Sequence, residues 1–449
     1  MSDYNITRRG FIGSSLVSMG AAVSAARGTV PLAGLSGISA GVLGANEKVR
    51  LGVIGCGGIS KVNLNLFLKE NPEVECPIIC DIDDARLAET VKFIEASGAQ
   101  APEAVKDFRA VLDRKDIDAC MVATPDHWHA LPTIMACQAG KDVYCEKPLA
   151  TTVQEGRAML EAARKYDRIV QMGTQWRSGE HFAEAVEYIH AGKLGKIRTV
   201  ELWTFLDWAH AIGNVPDSPC PDGVDYDMWL GPAPEQPFNR MRFHFNFRWF
   251  WDYAGGLMTD WGVHLINIAM WAMRYPQVSS VMSAGGNFTK PDTMQETPDT
   301  QMAIYTFKDF IMTWDHQMSA PLKNGRDGRA HGIKFYGTEA VLILDGAGWE
   351  VIPAEGKEGA ALKRTREQDS GRSMHIRNFL DGIKSRKPCV QDFEVSHLVS
   401  NMAHLGNMAL QTGKTIHWDA ENERVIGDEE ANANRMISRP YRGPWKLEV

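Results

Sequence analysis

Lys147, in the run Cys145-Glu146-Lys147-Pro148, sets an amine at the end of an apolar stretch, while Asp260 and His264, in GGLMTDWGVH over 255–264, add a carboxylate and an imidazole. An ammonium group there can reach a substrate hydroxyl. An imidazole titrates near pH 6.5 and can exchange a proton close to neutrality; a carboxylate four residues earlier on one helical face can orient it. Each residue also has a plainer reading: Lys147 as a solvated surface charge, Asp260 as a helix cap and His264 as a packed core residue. His127 and His129, in VATPDHWHA, have the spacing of a metal pair. No carboxylate or thiolate set stands where it would complete the site, so no metal is expected.

Groups this far apart in sequence need a scaffold, and residues 49–60, VRLGVIGCGGIS, open one. A short apolar run breaks into a glycine loop and continues as a helix. Gly55 suits the tight turn, Gly57 lets the backbone approach a pyrophosphate, and Ser60 takes the small third position. The phosphates would rest on the N–H groups of the helix start, over Gly58, Ile59 and Ser60. Asp81 ends the next apolar run roughly 20 residues on, where a carboxylate can bind the adenosine ribose and repel a 2′-phosphate. NAD is therefore expected over NADP, with Asp81 as an ordinary strand-end turn residue the alternative. Pro77 lies in the same run, so the strand is expected to begin after it. Glu146-Lys147-Pro148 ends a later parallel strand, the edge where such sheets bind ligands, and Pro148 offers a cis turn.

Alternating elements follow: strands over 117–125, 142–148 and 169–175, helices over 130–140 and 152–167. They describe a parallel sheet covered on both faces. Beyond Gly195 the pattern changes. Strands over 196–205, 278–288, 300–307, 310–318 and 333–336 have few helices between them, as in an antiparallel sheet of an α+β domain, and a helix over 394–411 precedes Gly413. The stretch 207–248 is too long for an idle connection and is expected to wall a site or meet another subunit.

With 449 residues the chain exceeds one usual core, and two main domains are expected, over 46–170 and 171–420, with a C-terminal extension over 421–449. The formal charge is −8 and no basic stripe occurs, so nucleic acid is not an expected partner. Residues 1–45 stand apart. Thr7-Arg8-Arg9-Gly10-Phe11-Ile12, an Ala/Gly/Ser-rich apolar stretch and Leu43-Gly44-Ala45 have the order of a twin-arginine signal, which implies export of a folded protein to the periplasm. No later segment has the roughly 18 unbroken apolar residues of a spanning helix. Six of the eight cysteines (Cys56, Cys76, Cys80, Cys120, Cys137 and Cys145) lie in the nucleotide half, mostly within apolar runs, and read as buried thiols, not a disulfide framework. Because free NAD is scarce outside the cell, export favours a cofactor held tightly and recycled in place.

The glycine loop, Asp81, VATPDHWHA, CEKP, QMGTQWRS and GGLMTDWGVH occur in the order found in the glucose-fructose oxidoreductase / inositol dehydrogenase (Gfo/Idh/MocA) family, which the chain resembles from about Lys48 to Trp418. The resemblance implies a Rossmann domain followed by an α+β domain whose large, mostly antiparallel open sheet builds dimers or tetramers. It implies oxidation of a sugar, glycoside or polyol hydroxyl with NAD(P). By it Lys147 matches the active-site lysine, Asp260 and His264 the acid/histidine pair, and Thr124, Pro125 and His129 the loop passing the cofactor. Glu146 falls near the nicotinamide ribose. His264 would take the hydroxyl proton, Asp260 orient the ring, and Lys147 hold the oxygen. Trp176 and Arg177 are assigned to the substrate by the same likeness; Trp251 and Asp252 join them because the aromatic run FHFNFRWFWDY precedes the catalytic stretch and indole faces stack on sugar rings. Two other readings stay open: a glycosidase acting through transient redox, and a silent sugar-sensing or scaffold protein.

Overall fold

The computed structural model describes residues 48–208, 212–289, 292–318, 325–357, 361–365 and 371–449. The twin-arginine segment lies outside them. Strands β1 (Val49–Ile54), β2 (Val74–Cys80), β3 (Glu103–Val105), β4 (Ala119–Val122), β5 (Asp142–Cys145) and β6 (Val170–Met172) form a six-stranded sheet in the order β3-β2-β1-β4-β5-β6. All five pairings are parallel. The side chains of the inner strands β1, β4 and β5 are almost all buried on both faces, the apolar signature of a sheet sandwiched by helices. The order reverses between β1 and β4, so a crevice opens where the loops after these strands diverge.

Three expectations change here. Strand β2 does not begin after Pro77 but runs through it: the register slips between Arg50 and Gly52, so Cys76 and Pro77 oppose Leu51 alone. Its other neighbour, β3, pairs only from Ile78 onward, which leaves the imide nitrogen at a bulge on a locally free edge. A first domain ending at residue 170 would cut through β6. Residues 421–449 are no appendage: Tyr441, Trp445, Leu447 and Val449 pack on the first sheet's helical layer, with the Trp445 ring 4.8 Å from that of Trp128. Tyr441 Oη and Arg439 Nη2 donate to the buried Glu155 carboxylate at 2.6 and 3.2 Å.

The second sheet contains β7 (Thr199–Phe205), β8 (Val278–Gly286), β9 (Thr300–Phe307), β10 (Ile311–Gln317), β11 (His331–Tyr336), β12 (Ala340–Asp345), β13 (Gly348–Pro353), β14 (Leu362–Thr365), β15 (Ile416–Asp419) and β16 (Arg424–Val425). Its order is β14-β13-β12-β11-β7-β10-β9-β8-β15-β16. It is antiparallel except between β7 and β10. Burial alternates along β9, so Tyr305 and Phe307 face the core beside the helices Gly262–Ala272 and Phe393–Thr412, while Met302 and Ile304 face outward. All eight cysteines are free, and only Cys220 is less than buried. Among the described residues no helix is long and apolar enough to cross a membrane.

Candidate active site

The turn after β1 is set by Gly55. Its φ is +96°, and a Cβ there would meet the Ala123 carbonyl oxygen at 2.5 Å, so β1 and β4 can approach only through glycine. Gly57 caps the helix Gly58–Glu70 with no side chain on its first N–H groups, and a Cβ added at Gly58 would enter open space. That start fits a pyrophosphate. Ile59 lines the cleft beside it, whereas the buried Ser60 makes room for packing and does not reach the cleft. Asp81 lines the adjoining cavity with Ile82, Arg86, Lys106 and Phe108. Its Oδ2 accepts from the Cys56 amide at 2.7 Å and its Oδ1 from the Asp83 amide at 3.1 Å. It therefore braces the glycine loop and still presents lone pairs to a ribose; burial raises its pKa.

The long stretch after β7 is a wall of this cavity. The Asp225 amide donates to Ile82 O at 2.9 Å, the Gly223 carbonyl accepts from the Asp84 amide and Lys106 Nζ, and His244 Nε2 lies 2.9 Å from Asp83 Oδ2. Met228, Trp229 and His244 thus face Asp81 across the adenosine end.

Farther along the cleft stand Thr124, Pro125, His129, Glu146, Lys147, Trp176, Asp260 and His264. His129 is held between carbonyls, with Nδ1 2.7 Å from Pro148 O and Nε2 3.1 Å from Thr124 O, and His127 Nε2 lies 2.9 Å from Trp229 O. Both imidazoles are thereby committed to tying loops together. The Lys147–Pro148 peptide is cis. Glu146 accepts from Asn63 Nδ2 at 2.7 Å, and Arg372 Nη1 donates to the same Asn63 at 3.1 Å.

Lys147 Nζ donates to Asp260 Oδ1 at 2.6 Å and to its carbonyl at 2.9 Å. Asp260 and His264 do not share one helix: Asp260 ends the helix Gly256–Asp260, Trp261 breaks the run, and His264 sits in the first turn of Gly262–Ala272. The carboxylate accordingly turns toward Lys147 and, at 3.4 Å, Arg248 Nε, leaving His264 Nδ1 without a hydrogen-bond partner among the described residues. Burial favours the neutral acid at Asp260, but the Lys147 and Arg248 cations overcome it and hold the carboxyl well below its usual range. Burial and the Lys147 charge drive His264 well below its usual value, so the ring is neutral.

The Trp176 ring lies 5.4 Å from that of His264 and forms a cleft wall. Arg177 turns away, its guanidinium 3.6 Å over the Trp271 ring. Trp251 and Asp252 also stand outside the cleft: the Trp251 amide donates to Glu296 Oε2, while Asp252 accepts from Arg435 and Arg439. The aromatic run does reach the cleft, through Phe245, Phe247 and Arg248.

The fold and these residues match two family descriptions: an oxidoreductase family with an NAD-binding Rossmann fold over residues 49–174, and the α/β C-terminal domain of the Gfo/Idh/MocA oxidoreductases over 188–320 and 344–447. The chain belongs to the Gfo/Idh/MocA family. It is an NAD-binding oxidoreductase. Relatives include a D-glucoside 3-dehydrogenase of Escherichia coli, 22% identical over 83% of this chain and 98% of its own, and a myo-inositol 2-dehydrogenase of Thermotoga maritima, 23% identical over 85% and 99%. A levoglucosan dehydrogenase solved with NADH and levoglucosan shares the fold at a TM-score of 0.64 and 19% identity, covering 83% of this chain and 99% of that one.

Sequence reasoning missed several cleft residues of this oxidoreductase: Arg86, Asp126, Trp208, Arg248, Trp261 and Arg372. Asp126 and Trp261 lie inside motifs already singled out, and adjacency was their available signal. Arg372 comes from a helix at the far end of the chain and had none.

Proposed function

We propose that this oxidoreductase oxidises a secondary hydroxyl of a sugar, glycoside or polyol. The observation carrying the reading is the Lys147 ammonium, 2.6 Å from Asp260 in the cleft that also holds His264 and the glycine loop. Bound NAD supplies the hydride acceptor. Lys147, held in place by Asp260, donates to the reacting oxygen as negative charge builds on it, and the neutral His264 ring accepts the hydroxyl proton. Asp260 thus orients the lysine more directly than the histidine. Trp176, Trp208 and Trp261 offer aromatic faces to a sugar ring. Relatives named as glucoside and inositol dehydrogenases support this substrate class.

Two features support a retained cofactor: the wall over the adenosine end, and an N-terminal sequence with twin-arginine order that would carry the folded, loaded protein to the periplasm. The outward Met282, Met302 and Ile304 of the open sheet, 45, 56 and 39% exposed, support self-association through that face. The test is mass spectrometry of the purified protein for nucleotide, followed by its nicotinamide absorbance as sugars and polyols are added. Reduction by a secondary-alcohol sugar is expected. Absence of any reduction across a broad panel would overturn the reading.

A further inference from the structure

Asp126 lies in the short helical turn Asp126–Trp128, directly after the loop from β4, and is 6% exposed. Its neighbours are pinned. Trp128 Nε1 donates to Met228 O at 2.9 Å, His127 is tied to Trp229 O, and His129 bridges Thr124 and Pro148. Asp126 itself lines the catalytic cleft, and its carboxyl is met by its own backbone amide and, among the described residues, by no other side chain. A buried carboxyl on a rigid turn that is met only by its own backbone amide keeps hydrogen-bonding capacity to spare, and a ligand that takes it up offsets the cost of burial.

We infer that Asp126 is a substrate-binding residue, accepting or donating a hydrogen bond to the hydroxyl next to the one oxidised, so that the substrate class is a vicinal diol. This rests on the reading of the cleft as a sugar or polyol site. Lys147, which donates to the reacting oxygen, lies with Asp260 and Arg248 among the charges whose fields reach Asp126 in the same cleft, so the adjacent hydroxyl of a diol is the polar group that can meet it. Burial pushes the carboxyl up to about 8, against the Lys147 ammonium and with the Asp260 carboxylate, so near neutrality it carries a proton and can serve as donor and acceptor.

The probes are methyl β-D-glucopyranoside, its 2-, 3- and 4-deoxy forms, and myo-inositol, tested on the NAD-loaded wild type, Asp126→Ala and Asp126→Asn. Binding is read from quenching of the cleft tryptophans and turnover from nicotinamide reduction. In the wild type, loss of one hydroxyl should weaken binding roughly tenfold, the size of one hydrogen bond to such a group. In Asp126→Ala that penalty should vanish, while Asp126→Asn keeps part of it and both variants retain NAD. Unchanged penalties in Asp126→Ala, or no penalty for any deletion in the wild type, would overturn the inference while leaving the dehydrogenase reading intact. Failure of the wild type to bind or oxidise any probe would instead overturn both.

Discussion

At the adenosine end of the cleft the closing contacts include backbone bonds, Asp225 to Ile82 and Asp84 to Gly223, with side-chain bonds from Lys106 to the Gly223 carbonyl and between His244 and Asp83. At the catalytic end they are charges. Lys147 meets Asp260, Arg248 lies 3.4 Å from the same carboxylate, and His264 and Asp126 are buried within their field. Backbone contacts tolerate side-chain change and hold a ligand by shape. Coupled buried charges do not, because removing one partner leaves the other desolvated and alone. The first end should therefore govern how long the cofactor stays, and the second whether the alcohol reacts.

The largest effect should come from Lys147→Met, which removes the donor to the reacting oxygen and strips Asp260 of its partner. Turnover should fall at least ~100-fold with NAD affinity little changed, measured by steady-state kinetics beside nucleotide titration. His264→Ala should behave alike; full activity in either variant would break the division between the two ends. Asp81→Ala comes next: the preference for NAD over NADP should drop by roughly tenfold as the ribose ligand and the repulsion of a 2′-phosphate are both lost, with the chemical step intact in single-turnover experiments. His244→Ala should speed NAD release several-fold, about the value of one hydrogen bond, without altering the rate of oxidation once loaded. A displacement assay with a competing nucleotide measures it, and an equal loss of turnover would blur the comparison.

The smallest effect concerns stability. Asp126 keeps its proton up to about pH 8 when folded, whereas an unfolded chain gives it up near pH 4. The folded state binds that proton more tightly, so the contribution is complete below about pH 4 and shrinks as pH rises toward 8. Asp126→Asn should accordingly gain on the wild type as pH rises from 5 to 8, read from urea unfolding of both proteins at the two ends of that range. Asp260 has the opposite sign. Its folded carboxyl is depressed, so its contribution is present above about pH 4 and fades as the solution becomes more acid.

Much of the nucleotide end was legible residue by residue. Gly55 and Asp81 act within a few positions of the strands that carry them, and a glycine at positive φ or an acid at a strand end declares its role locally. Lys147, Asp260 and His264 were also singled out, but not their pairing. Four-residue spacing assumed one continuous helix, whereas the break at Trp261 turns the carboxylate toward the lysine. Trp251 and Asp252 were misplaced for a related reason: in the turn after the short helix His244–Trp249 the Trp251 amide meets Glu296 and Asp252 meets the C-terminal tail, while Phe245, Phe247 and Arg248 face the cleft.

By itself, then, the amino-acid sequence determined the parallel sheet, the glycine loop with its acidic partner, and which side chains are chemically able to act, since each depends on local periodicity or on a backbone conformation open to few residues. Tertiary structure alone decided which charges pair, that the segment after β7 and the C-terminal tail return to the first sheet, and that Arg372 and Asp126 share a cleft with His264. Those outcomes depend on the distance between groups remote in sequence and on the water removed around them, and neither quantity is written in the order of residues.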